Sequence, residues 1–243
     1  MNAVEKDEFT DVPVVVVGGH LGTGPAVVRA FVARGARVAV GVFSGTDKAP
    51  LPGAVNIPVE LGSTESVKAF LDSCEKQLGE LRVLVMVAPP VKTAPVLDIL
   101  EADFRAVIDA ELLGPILCLQ EAGRRLVAYG GGRLISFSSM SGKTGVHPHV
   151  APYASAKGGL IAFSRVLAVE LAPKGVTVNV IATALFDVQV AAMADTSDVV
   201  KGIPVGRVGK SSEAAHAVLF LASAEAGYVT GETMNLSGGR FMD

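Results

Sequence analysis

Long hydrophobic runs are missing from this sequence. Its apolar stretches, such as Val12 to Gly18, fall far short of the ~20 residues a helix needs to cross a bilayer. The first residues, Met1 to Asp11, are acidic and polar and lack the charged start and apolar core of a secretory signal. These absences predict a cytoplasmic protein. Cysteine is scarce: Cys74 and Cys118 stand alone within helical patterns, so a disulfide framework or a thiolate metal site is not expected. His147 and His149 lack further ligands at suitable spacing, and no metal is predicted. Lys and Arg form no run and no stripe interleaved with aromatics, and the formal net charge is only −3. Nucleic acid and membrane surfaces therefore have nothing to attract them.

What is present suits a folded domain. Half of the 243 residues are apolar and 19% are charged, enough for a sizeable core. The length fits one α/β domain over residues 1–243, and neither internal repeats nor low-complexity linkers divide it. Short β-branched runs recur at Val12–Val17, Arg37–Val42, Val55–Val59, Val83–Val87, Arg133–Ser138, Thr177–Ile181 and Thr233–Leu236, each bounded by Gly, Pro or Ser. They read as buried strands. Segments of helical period lie between them. Val67, Phe70, Leu71, Cys74 and Leu78 form one helix face, with Ser63 as its N-cap. Two longer helices are predicted over Phe104–Arg125 and Tyr153–Ala172. The alternation predicts a doubly wound, Rossmann-like parallel sheet of about seven strands with helices on both faces. Ligands of such sheets bind beyond the carboxyl ends of the strands.

The first strand runs into Gly18-Gly19-His20-Leu21-Gly22-Thr23-Gly24, then Pro25 and a helix to about Arg34. Glycines let the backbone approach a pyrophosphate, whose charge the helix N-terminus attracts. A carboxylate at the end of the second strand would accept from an adenosine ribose, but Val42, Phe43, Ser44 and Gly45 stand there. Nothing there repels a 2′-phosphate, for which Ser44, His20 and Lys48 are the candidate partners, so NADP is favoured over NAD. Further along, Tyr153 and Lys157 lie one helical turn apart on one face. An ammonium near a phenol favours the phenolate, which moves tyrosine towards acid–base work near neutral pH. Ser138 and Ser139 close the fifth strand, where a hydroxyl could steady a developing oxyanion.

In the order glycine turn, Ser-Ser, Tyr-x-x-x-Lys, the chain resembles the short-chain dehydrogenase/reductase family over nearly its whole length. Gly18, Gly22 and Gly24 match the family's T-G-x-x-x-G-x-G turn, with Val17 at the threonine. Ser139 matches its serine, Tyr153 to Lys157 its Y-x-x-x-K, and Val178-Asn179-Val180-Ile181-Ala182 its V-N-x-I-A run. Pro204 to Gly209, Phe220 to Ser223 and Tyr228 to Gly239 are similar to its closing segment. The resemblance implies NAD(P)-dependent oxidation of a secondary alcohol or reduction of a ketone. Ser139 would orient the oxygen, Tyr153 pass the proton, and Lys157 bind the ribose and lower the tyrosine pKa. It assigns the cofactor surface to Gly18, His20, Gly22, Thr23, Gly24, Phe43, Ser44, Glu60, Leu61, Ala88, Tyr153, Lys157 and Thr183. A homotetramer is expected, since the two long helices are more apolar than one sheet face needs.

Departures from the family pattern are concentrated around this surface. Met86-Val87-Ala88-Pro89 stands for N-N-A-G, Glu60 for an aspartate, Thr183-Ala184 for P-G, and Val188 for a threonine. The loop from Ser139 to Tyr153 is one residue longer than usual. Glu111 stands where the family keeps an asparagine that holds a water linking the lysine to solvent. If it faces inward, Glu111 joins Ser139, Tyr153 and Lys157 as a catalytic candidate; if the helix is rotated, it faces water. The substrate is expected to be a small, mainly apolar ketone or alcohol. It would sit under a lid at about 184–205, against Phe186, Val190 and Met193 and against Met140, His147 and Val150. Two other functions fit the same residues: cofactor-free Ser–Tyr chemistry, as in dehalogenation or elimination, and non-catalytic binding.

Overall fold

The computed structural model describes residues 8–45, 49–87, 94–145 and 147–243. Among them seven strands form one parallel sheet in the order β3-β2-β1-β4-β5-β6-β7. The strands are β1 (Pro13–Val17), β2 (Arg37–Phe43), β3 (Ala54–Val59), β4 (Val83–Met86), β5 (Gly132–Ser139), β6 (Val176–Thr183) and β7 (Thr233–Leu236). This is the Rossmann-like α/β fold expected from the alternation, with strand ends close to the sequence reading.

Side chains alternate across the sheet, so β1 alone feeds two cores. Val14 and Val16 pack with Val27, Phe31, Val218 and Leu221, from α1 (Gly24–Val32) and α9 (Ser211–Ala222). Val15 and Val17 face the opposite layer. That layer holds α2 (Thr64–Leu78), α4 (Gly114–Ala128) and α6 (Ala151–Leu171). Ser63 caps α2 as predicted: its Oγ accepts from Ser66 N at 3.1 Å, and Ser63 N donates back to Ser66 Oγ at 3.2 Å. Arg125 of α4 is tied to α2 through Glu75 at 2.6 Å and Asp72 at 2.7 Å, and to Glu121 on its own helix at 3.0 Å. Cys74 and Cys118 are buried free thiols, each pushed up to about 12 by burial. No helix among the described residues is long and apolar enough to cross a membrane.

One helix differs from its expected form. The segment expected as a single helix over Phe104–Arg125 is α3 (Glu101–Ile108), a π-helical turn (Asp109–Leu113), and α4. The cause lies in Gly114-Pro115. Proline has no N–H to continue the ladder, and Gly114 N–H reaches back five residues to Asp109 O, the π spacing. A side chain at Gly114 would come within 2.7 Å of Leu61 Cβ, so only glycine lets this turn press against the loop after β3. The extra residue turns Glu111 inward, where it is buried.

Segment 184–205 carries α7 (Asp187–Val190) and α8 (Ser197–Lys201). Leu185, Phe186, Ile203 and Val205 of this segment line a small pocket of about 160 Å³, but the other residues expected there do not. Phe186 and Val190 are buried, with Phe186 in the core and close against Gly209, whereas Met193 is half-exposed to solvent. Met140 is buried as well, in α5 (Met140–Thr144). Burial in the core is the lower-energy place for such side chains when no ligand competes.

Candidate active site

Sheet register sets out the site. Val17 pairs with Gly41 and Met86, and Ser139 pairs with Thr183, so the glycine turn, Phe43, Val87, Ser139 and Thr183 all emerge at one carboxyl edge. After Val17 the chain reverses tightly. Gly18 N donates to Gly41 O at 2.9 Å, Leu21 N to Gly18 O at 2.8 Å, and Gly24 N to Leu21 O at 2.7 Å. Gly18 and Gly22 have φ of +72° and +48°, which side chains rarely adopt. A Cβ on Gly18 would lie 2.5 Å from Val87 O, whereas one on Gly22 would meet nothing within 4 Å. The turn is therefore packed behind and open in front. Thr23 makes no side-chain cap to α1, and no acidic residue lies in its first turn. Glycine, helix N-terminus and open space together fit a pyrophosphate.

Beside the turn, a groove of about 560 Å³ is lined by Phe43, Ser44, Glu60, Leu61, Asp109 and Leu113 among others. Its size and its walls fit an adenosine, and the described residues lining it include no cation. Phe43 also lies near Gly18, since a Cβ there would be 3.4 Å from its ring. His20 is buried and bonded through Nε2 to Asn56 Oδ1 of β3 at 3.0 Å, so it braces the turn against that strand. Ala88, assigned to the cofactor surface from the sequence, lies outside the described residues, as do Pro89 and Lys48.

At the end of β5, Ser139 caps α5, its Oγ accepting from Ser141 N at 3.1 Å. The Ser139 hydroxyl also acts on the Tyr153 phenol, favouring its ionised form. Ser138 Oγ donates to Lys157 O at 3.1 Å, and Thr183 Oγ1 to Ser138 O at 3.3 Å. Lys157 is fully buried. Its Nζ donates to Phe137 O at 3.2 Å, pairs with Glu111 Oε2 at 2.9 Å, and lies 5.6 Å from the centroid of the Tyr153 ring. Thus Ser139, Tyr153, Lys157 and Glu111 converge, although β5, α6 and the π turn supply them separately.

The charges of this cluster are set by burial. Burial pushes the Glu111 carboxyl up, against the pull of Lys157. It pushes the Lys157 ammonium down, against the pull of Glu111. Tyr153 is pushed up to about 12, first by burial and then by the Glu111 charge, while the Ser139 hydrogen bond opposes both. A phenol made more acidic by lysine was expected; instead burial and the Glu111 charge make it less acidic.

The sequence reading does not single out Gly142, which lets α5 lie against α6, since a Cβ there would be 2.7 Å from Lys157. The Ser141-Gly142 pair, one turn beyond Ser139, is the available signal. His147, expected against the substrate, has Nδ1 2.8 Å from Ser141 Oγ, which ties the loop to α5.

With this geometry in view, known proteins of similar sequence are informative. Residues 19–240 match a family model described as enoyl-(acyl carrier protein) reductase. The chain is 32% identical over 242 residues to the 3-oxoacyl-(acyl-carrier-protein) reductase of Salmonella typhimurium, covering 94% of this chain and 96% of that protein. It is 33% identical over 240 residues to the enzyme of that description from Mycobacterium avium, covering 98% and 92%. The 2-dehydro-3-deoxy-L-rhamnonate dehydrogenase (NAD(+)) of a Sphingomonas species is 31% identical over 234 residues, covering 93% and 94%. These names span different substrates at nearly equal identity, so the likeness reaches the whole chain without choosing among them.

Proposed function

The chain belongs to the short-chain dehydrogenase/reductase family, and from that premise we propose that it is an NAD(P)-dependent oxidoreductase interconverting a ketone and a secondary alcohol. The observation that carries this reading is the Ser139–Tyr153–Lys157 cluster at the carboxyl edge of β5, beside an open glycine turn. Bound along that edge, the nicotinamide dinucleotide supplies or accepts the hydride. NADP is favoured because Phe43 and Ser44, not a carboxylate, end β2. Gly18, Gly22 and Gly24 would admit the pyrophosphate, and Glu60, Leu61 and Ser44 the adenosine.

In the reductive direction Ser139 donates a hydrogen bond to the carbonyl oxygen and so fixes its position. The Tyr153 O–H bond breaks and its proton passes to that oxygen as charge develops there. Lys157, with two of its donors engaged by Phe137 O and Glu111, has one more to offer a ribose hydroxyl. In the oxidative direction the Tyr153 phenolate takes the proton back.

The test is titration of wild type and Tyr153→Phe with NADPH and NADH, followed by nicotinamide fluorescence and then ketone reduction. Both proteins should bind dinucleotide, and the variant should lose roughly 10²- to 10⁴-fold in turnover, the usual worth of a positioned proton donor. Undiminished reduction by Tyr153→Phe would reject the assignment. Wild type that binds neither dinucleotide would favour cofactor-free Ser–Tyr chemistry.

A further inference from the structure

We propose that Glu111, acting through its ion pair with Lys157, keeps Tyr153 a proton-bearing phenol across the neutral range, so that reductive turnover extends to higher pH and oxidative turnover starts later. The inference rests on the reading above, in which Tyr153 carries the transferred proton. The equilibrium between ketone and alcohol is untouched. What changes is the fraction of enzyme in the form each direction needs.

The argument is one of geometry and charge. Glu111 Oε2 lies 2.9 Å from Lys157 Nζ, with side-chain exposures of 5% and 2%. The cavity beside the pair is only about 10 Å³ and is walled by Phe43, Leu61, Met86, Val87, Phe137 and Leu160 among others. Little water enters to screen the charges. Lys157 and Glu111 are the only ionisable groups among the described residues lining it. On the same turn Asp109 lines the open groove instead, with Glu60. From β5 and α5 the Tyr153 oxygen meets the neutral Ser139, and His147 is engaged with Ser141. Tyr153 therefore has an anion beside its cation, and the Glu111 charge opposes the phenolate that a lone ammonium would stabilise. Burial then decides, and it favours the phenol. The direction of the Tyr153 shift, with Glu111 as its second cause, agrees. Glu111 is thus a positioning residue for charge and takes no proton from the substrate.

The experiment is a phenolate titration of the dinucleotide-free protein by ultraviolet difference absorbance, taking wild type minus Tyr153→Phe to isolate this tyrosine from Tyr129 and Tyr228. The wild-type midpoint should lie above the free-phenol value of about 10, and a midpoint at or below it overturns the proposal without any substitution at Glu111. Glu111→Gln should lower the midpoint by about one to two units, because the negative charge that opposes the phenolate is then gone. Glu111→Asp, which keeps the charge, should restore a high midpoint. An unchanged midpoint in Glu111→Gln, or an equal fall in both variants, would mean that packing and not charge is at work. The turnover profiles should move in step, with the oxidative plateau of Glu111→Gln reached at lower pH. Failure of the functional reading shows separately, as reduction surviving in Tyr153→Phe.

Discussion

Alanine placed at Gly18 and at Gly22 should separate the packing of the glycine turn from its binding. Both positions have positive φ, so each substitution carries a backbone cost of about 1–2 kcal/mol. At Gly18 there is more. The new Cβ would lie 2.5 Å from Val87 O, and Val87 is held by its own N–H to Val17 O at 2.9 Å, so relief means disturbing the β1–β4 edge. Overpacking of this kind costs about 1–3 kcal/mol further. Gly18→Ala should therefore lose about 2–5 kcal/mol, a fall in Tm on the order of 10 °C for a chain of this size. Gly22→Ala meets open space and should melt only a few degrees low. Its methyl, however, projects where a pyrophosphate must approach, and dinucleotide affinity should drop about tenfold or more, equivalent to roughly 1.4 kcal/mol. The assay is a thermal melt without ligand, then fluorescence titration with NADPH and NADH. Wild-type affinity in Gly22→Ala would refute the cradle. A Gly18→Ala melt no lower than that of Gly22→Ala would refute the clash.

Two further predictions concern the rest of the molecule. Arg125→Ala strands Glu75, its side chain 18% exposed, without its cation, and leaves Glu121 only the exposed Arg124 at 3.2 Å. It should cost about 3–5 kcal/mol in denaturant unfolding, and a loss under about 1 kcal/mol would show that the network contributes little. The homotetramer that family likeness suggests is supported by Val166 and Val169, 60% and 76% exposed on α6, and by Leu113 in the π turn. Light scattering should give a multiple of the chain mass, and a monomer mass across micromolar concentrations would contradict it.

The strands were legible because parallel strands covered on both faces need continuous apolar runs, and Val14 to Val17 supply both cores at once. Ser139, Tyr153 and Lys157 were legible for a similar reason, since four residues of helix and the end of a strand fix where side chains point. The orientation of Glu111 was not. Apolar spacing along 104–125 fits an unbroken helix, and only Gly114-Pro115 marks the inserted residue that turns the carboxylate inward. The inward packing of Phe186 and Met140 was likewise hidden, because an apolar residue in a loop serves a pocket or a core equally well until its neighbours are known. The direction of the Tyr153 shift depends on burial and on a carboxylate brought in by a separate element, and no local pattern encodes that.

The departures from the family pattern belong together physically. Val17, Met86 and Val87 are buried where polar side chains were expected, so the wall behind the turn is apolar. An ammonium in such surroundings is costly, and burial alone drives Lys157 towards its neutral form. A neutral asparagine holding a water could ease that cost only with room for the water. About 10 Å³ is at the lower limit for one molecule, and the walls offer it few polar partners. A carboxylate at 2.9 Å meets the same need directly and requires no solvent. Glu111 is thus the counterpart of the apolar wall. Restoring asparagine at that position alone would leave the lysine charge with Phe137 O but with neither counter-ion nor water.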